Sequence, residues 1–188
     1  MREVRPAVWR LTPAVERTET AKGAVTAAHR HPVGRPGRQT VSIGTLLNSS
    51  DRALILERLR RVRPETRPAW GSLDAPRMLC HVADQMRVAL GDLPAKPRHS
   101  FLSRTLVKTL VVNTGLKPPR GKIQTAPEML ISRPSSWEAD LAACVALVGR
   151  VADGTANAVH PAFGPLSPEE WGRLCWKHLN HHLIQFGV

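Results

Sequence analysis

Ser167-Pro168-Glu169-Glu170-Trp171-Gly172-Arg173-Leu174-Cys175-Trp176-Lys177-His178-Leu179-Asn180-His181-His182-Leu183-Ile184-Gln185-Phe186 reads as one helix with its start signal in front of it. Ser167 and Glu170 stand at the spacing of a capping box, and Pro168 takes the first helical position, where a missing N–H costs nothing. From there Trp171, Leu174, Cys175, His178, His182 and Gln185 recur on one stripe at the 3.6-residue period. His178 and His182 are i, i+4 neighbours, so their rings stand one above the other on that stripe.

Upstream, Asp74 caps a helix that has Pro76 in its first turn, runs to about Leu90 and ends at Gly91. Its inward stripe is Met78, Val82, Met86 and Ala89, and His81 and Gln85 fall on the same face. A shorter helix is expected from Ser50 to Arg61, with Ser49 or Ser50 as cap, carrying Leu54, Ile55, Leu56 and Leu59. Another runs from Ser135 to about Val151, where Trp137, Leu141, Cys144, Val145 and Val148 keep helical spacing. Between Leu90 and this helix lies a long connection holding one extra short apolar helix, Phe101 to Asn113, with Arg104 and Lys108 on one side. No segment alternates with period two for long enough to predict a strand, so the expected class is all-α.

The bulk properties fit a single folded domain. The chain has 188 residues, 42% of them hydrophobic, which suffices for one core. Residues 1–42 mix Pro6, Pro13, Pro32 and Pro36 with scattered charge and keep no apolar period, so they read as a disordered or non-native extension. The domain is then 43–188. No run of about 18 apolar residues suggests a membrane span, and no apolar stretch follows the charged N-terminus as a secretory signal would require. Cys80, Cys144 and Cys175 are odd in number and sit in apolar helical patterns, which points to a reducing, cytoplasmic setting.

The net charge of +12 includes seven Lys or Arg and no acid between Lys96 and Lys122. Such a stretch attracts nucleic acid or an acidic partner, or is simply a solvated face. Against nucleic acid, no recognised binding motif appears, the chain lacks tyrosine, and aromatics are only 4%, few for base stacking. Phe101 to Val112 is also more apolar than a nucleic-acid face, and suits a cover over the core or a homodimer contact better.

A lone histidine on an apolar stripe is usually a hydrogen-bonded core residue. Two on one helix and a third on another change that expectation, because burying three imidazoles and two glutamines without a ligand is costly. His178 and His182 supply two cis ligands to a divalent ion, zinc or nickel, and His81 from a facing helix supplies a third. Gln85, Gln185 and His160 are the polar residues expected to line the pocket or support the ligands. His181, on the shoulder of the stripe, is expected beside the site or at the surface. Cys175 is close enough in sequence for a mixed site, but reads better as a small core residue.

The string His178-Leu179-Asn180-His181-His182-Leu183-Ile184-Gln185 resembles the terminal H-x-x-H-H-x-x-Q signature of the DinB/YfiT-like superfamily. Met78-Leu79-Cys80-His81 resembles the single-histidine helix that precedes it there. Trp70-Gly71, His160-Pro161-Ala162-Phe163-Gly164 and Glu170-Trp171-Gly172 resemble an uncharacterised bacterial subfamily. The resemblance covers residue 45 to the end, is specific in the last thirty residues and weak between Pro94 and Pro134. It implies an up-down-down-up four-helix bundle with a divalent metal on His81, His178 and His182. It also implies a metal-dependent enzyme acting on a small molecule, since characterised relatives include transferases and isomerases that use a low-molecular-weight thiol. One departure stands out: Leu183-Ile184 replaces the Arg-Gly pair common between the last His and Gln, which implies a changed substrate or no transferase activity. With water in place of thiol, the same centre would be a hydrolase. The alternative is a non-catalytic basic helical module that binds nucleic acid or an acidic partner.

Overall fold

Side-chain caps set where each helix begins. In the computed structural model, which describes residues 43–115 and 126–188, α1 spans Ser49–Arg61 and α2 spans Ala75–Leu90. Helix α3 spans Lys108–Asn113, α4 Trp137–Ala152 and α5 Pro168–Gln185. The tail 1–42, and Lys117, Arg120 and Lys122 of the basic stretch, lie outside the described residues.

The cap of α1 is Asn48, one residue ahead of the expected serines. Its Oδ1 accepts from the N–H groups of both Ser50 and Asp51 at 3.0 Å. Asp74 caps α2 by accepting from Arg77 N at 2.8 Å, and Gly91 ends that helix at φ +81°, the left-handed conformation that glycine takes without steric cost. Both halves of the Ser167–Glu170 capping box form at the head of α5.

The extra helix departs from the expected regular form. It opens α-helical at Phe101 and Leu102, passes through a π-helical stretch, Ser103–Val107, and returns to α-helix in α3. Thr105 and Thr109 hydroxyls donate back to the carbonyls four residues earlier, the bonding that loosens a helix from within. Only Val112 of this stretch is buried; Phe101 is 85% exposed, and Leu102, Leu106 and Leu110 also face out. The stretch therefore leaves an apolar surface rather than covering the core. A second departure is a two-residue ladder, β1 (Val159–His160) antiparallel to β2 (Gly164–Pro165), too short to leave a period in the sequence.

The fold is predominantly helical, with α2 at its centre: every residue from Met78 to Met86 is buried. Helix α2 packs most extensively on α4 and also on α5; α1 lies against α5 and α4, and α3 against α5. Ile55, Leu59, Met78, Met86, Trp171 and Leu183 meet in one core cluster. None of the described helices is long and apolar enough to cross a membrane.

Part of the basic stretch is matched by acids from elsewhere in the chain. Arg98 pairs with Glu128 at 2.7 Å, and Lys108 with Glu170 at 3.0 Å. Among the described residues one carboxylate is fully buried: Asp84 of α2, which accepts from Arg87 Nη1 at 2.8 Å, from Ser132 N at 2.9 Å and from the Ser132 hydroxyl. That clamp fastens the 126–134 segment, with its 3-10 turn Pro127–Leu130, along α2. Asp84→Ala would strip three donors of their acceptor, so a loss of about 2–3 kcal/mol is expected in urea denaturation. Asp84→Asn, which keeps an acceptor oxygen, should lose less.

Candidate metal centre

His81 on α2 and His178 and His182 on α5 bring one ligand atom each to a common point, all within 4.8 Å of one another. His178 Nε2 lies 2.9 Å from His81 Nε2 and 3.1 Å from His182 Nε2. The rings stand nearly perpendicular, His81 at 90° to His178 and 89° to His182. His81 and His182 are buried and His178 is partly exposed.

The other nitrogen of each ring decides what those Nε2 atoms are. His81 Nδ1 lies 2.8 Å from the Met129 main-chain carbonyl, His178 Nδ1 2.8 Å from Gln85 Oε1, and His182 Nδ1 2.8 Å from Gln185 Oε1. A carbonyl oxygen only accepts, so each Nδ1 carries the proton and each Nε2 presents a lone pair. Three lone pairs thus converge with no donor between them. A proton is a poor remedy. Burial holds all three imidazoles below their ordinary pKa, His182 down to about 3 and His178 well below normal, with the neighbouring histidines adding to the effect.

A metal ion fits this donor set. A tetrahedral ion with bonds of about 2.0–2.1 Å to nitrogen keeps its ligands about 3.3 Å apart, close to the spacings seen here. The three ligands are neutral, and no carboxylate among the described residues joins the group.

The supports of the ligands are themselves held. The Met129 carbonyl belongs to the segment that Asp84 and Ser132 fasten to α2. Gln185 donates from Nε2 to the Trp70 carbonyl, and the Gln185 carbonyl accepts from Ala69 N at 2.8 Å, so the α1–α2 loop and the end of α5 lock together. Gly71 sits in that loop at φ +81°, and a Cβ there would lie 2.7 Å from Gln185 Nε2. Both the backbone and the close approach require glycine.

Of the residues singled out from sequence, the three ligand candidates meet, and Gln85 and Gln185 orient two of them. His181 stands beside the cluster, edge-on to His182 at 5.3 Å and to Trp70 at 6.1 Å. His160 lies outside the cluster: its Nδ1 accepts from the N–H groups of Ala162 and Phe163 at 3.1 Å each, and its ring stacks on Phe163 at 4.5 Å. That histidine braces the β1–β2 turn, and burial pushes its pKa down to about 4. Leu183 is buried in the core, whereas Ile184 is exposed. Cys144 and Cys175 are buried, each thiol pushed up to about 12 by burial, and Cys175 is no part of the cluster. Sequence reasoning missed Met129, Asp84 and Ser132. A main-chain carbonyl leaves no trace in a sequence, but a carboxylate inside an apolar helix was a readable signal.

Residues 47–187 match the family described as "Protein of unknown function (DUF1569)". The match spans most of the chain, all three histidines included, and the chain belongs to that family. No curated protein and no solved structure matches it.

Gly71→Ala touches no ligand yet displaces the group that orients His182. Metal affinity should fall about 10–100-fold by competition with a chromophoric chelator, the range for losing an orienting partner. His160 gives a prediction with a definite sign. Its folded pKa is below the value of about 6.5 of an unfolded chain, so its neutral form is at no disadvantage above pH 6.5. As pH falls from 6.5 to 4 only the unfolded chain takes up this proton, and up to about 3 kcal/mol of stability is lost. His160→Asn, whose Oδ1 replaces the Nδ1 acceptor, should flatten the dependence of urea stability on pH in that window relative to the parent.

Proposed function

We propose that residues 43–188 form a DinB-like four-helix bundle holding one divalent ion, zinc or nickel, on His81, His178 and His182. In this reading the protein is a metal-dependent enzyme acting on a small molecule, a thiol-dependent S-transferase or a hydrolase. One observation carries it: three Nε2 lone pairs at hydrogen-bond spacing, each fixed by a carbonyl oxygen on the far side of its ring. A core histidine cluster without a cation would arrange its protons so that donors met acceptors.

When bound, the ion supplies a Lewis acid that lowers the pKa of a coordinated thiol or water. The chain's own part is to prepare that chemistry. Met129 O, Gln85 and Gln185 keep the imidazoles neutral at Nε2 and fixed in orientation. The surrounding core keeps bulk water away from His81 and His182. The tetrahedral preference of zinc would leave a fourth position for the small molecule.

The alternative, a module for nucleic acid or an acidic partner, gains nothing from the ion pairs that neutralise Arg98 and Lys108.

Purified protein should carry about one divalent ion per chain by elemental analysis. His178→Ala and His182→Ala should each lose it, because two neutral ligands hold metal poorly. Full occupancy retained in both variants would remove the centre as drawn here.

A further inference from the structure

The extra helical stretch, residues 101–113, is mounted with its polar side inward. Lys108 Nζ reaches the Glu170 carboxylate at 3.0 Å, Asn113 Nδ2 donates to the same carboxylate at 3.3 Å, and Asn113 Oδ1 accepts from Arg173 at 2.8 Å. Lys177 adds a bond to the Val111 carbonyl, and Val112 is buried. Outward go Phe101 and the row Leu102, Leu106 and Leu110, which recur every fourth residue. A surface helix normally turns its apolar side to the core. This one is held to α5 by its polar groups and gives its leucines to solvent. The threonine hydroxyls of the stretch ask nothing of a partner, because Thr105 and Thr109 already donate to the Phe101 and Thr105 carbonyls at 3.0 and 2.9 Å. The stripe can therefore leave water without stranding those donors.

We propose that this stripe is a membrane-docking surface, which lies in the headgroup region of an anionic bilayer with Phe101, Leu102, Leu106 and Leu110 inserted. Charge selects that occupant. Between Lys96 and Lys122 the sequence has seven Lys or Arg and no acid, and the whole chain has a net charge of +12. Lys96 and Arg104 are exposed, and among the described residues no carboxylate pairs with either. A second copy brings another +12 to the contact, and residues 1–42, with eight Lys or Arg against three acids, bring the same sign. An anionic lipid surface is instead drawn to these cations. Phe and Leu beside Lys and Arg are the composition of helices that lie about 5–10 Å into the boundary between headgroups and acyl chains. An acidic protein would share the attraction, but the apolar row offers it no hydrogen-bonding pattern to read, whereas a bilayer needs only apolar depth. The docking surface is independent of the histidine centre, and either can fail without the other.

The test is co-sedimentation of the full-length protein, at physiological ionic strength, with vesicles of mixed phosphatidylcholine and phosphatidylglycerol and with vesicles of phosphatidylcholine alone. Partition onto the anionic vesicles should exceed that onto the neutral ones by about tenfold or more. Phe101→Ser combined with Leu106→Ser should lower it by about tenfold or more, with melting temperature unchanged, since both side chains face solvent. Lys96→Gln and Arg104→Gln should each lower it about fivefold. Insertion is read separately by a polarity-sensitive fluorophore on Leu106→Cys, the three native cysteines being buried. Its emission should shift to the blue on anionic vesicles and be quenched by brominated lipid. Absence of partition, or partition that the apolar double substitution leaves unchanged, would overturn the proposal. So would an unshifted fluorophore on vesicle-bound protein, because charge alone would then hold the protein there. A dimer in analytical ultracentrifugation that Phe101→Ser with Leu106→Ser dissociates, without vesicle binding, would assign the stripe to a second copy instead.

Discussion

Three imidazole nitrogens aimed at one point repel one another unless a cation lies among them, and much of this molecule is arranged to keep them aimed there. Protons are excluded from the centre by the carbonyl oxygens that claim each Nδ1–H and by burial that disfavours the imidazolium. The three carbonyls come from different places: the main chain of the long connection before α4, a side chain of α2 and a side chain of α5. The centre therefore ties together elements far apart in sequence. A metal bound only by the folded chain would add its binding free energy to folding stability.

The arrangement explains features that look unrelated in the sequence. Gly71 lies in a proline-rich link, yet it faces the glutamine that orients His182. Asp84 is a carboxylate sunk in an apolar helix, yet its work is to hold the segment that carries the Met129 carbonyl to His81. Each acts on the ligands through one intermediary, so substitutions there should resemble weakened ligands rather than lost ones.

The helical class, the limits of α2 and α5 and the meeting of His81, His178 and His182 were legible because period, caps and i, i+4 spacing are local. The capping box at Ser167 and the stop at Gly91 are settled within four residues of chain. What was not legible is the work of groups with no local signature. Met129 acts through its backbone, and the bracing role of His160 depends on N–H groups that any residue in the turn supplies. Arg98 and Lys108 looked unmatched because Glu128 and Glu170 lie at least 30 residues away. The apolar run from Phe101 read as a cover over the core or a homodimer contact, and its exposed face was not legible because periodicity tells which residues share a face, not what that face meets.

The three cysteines carry a consequence for a protein proposed to handle small thiols. All are buried and free, and with burial pushing the thiols of Cys144 and Cys175 up to about 12, both stay protonated at pH 7. Sulfur exchanges with disulfides as thiolate, so these side chains are silent in the chemistry that a cell's thiol pool carries on around them. Oxidative stress that caps exposed cysteines elsewhere would pass Cys144 and Cys175 by, and neither would compete for sulfur that reaches the histidine centre from outside.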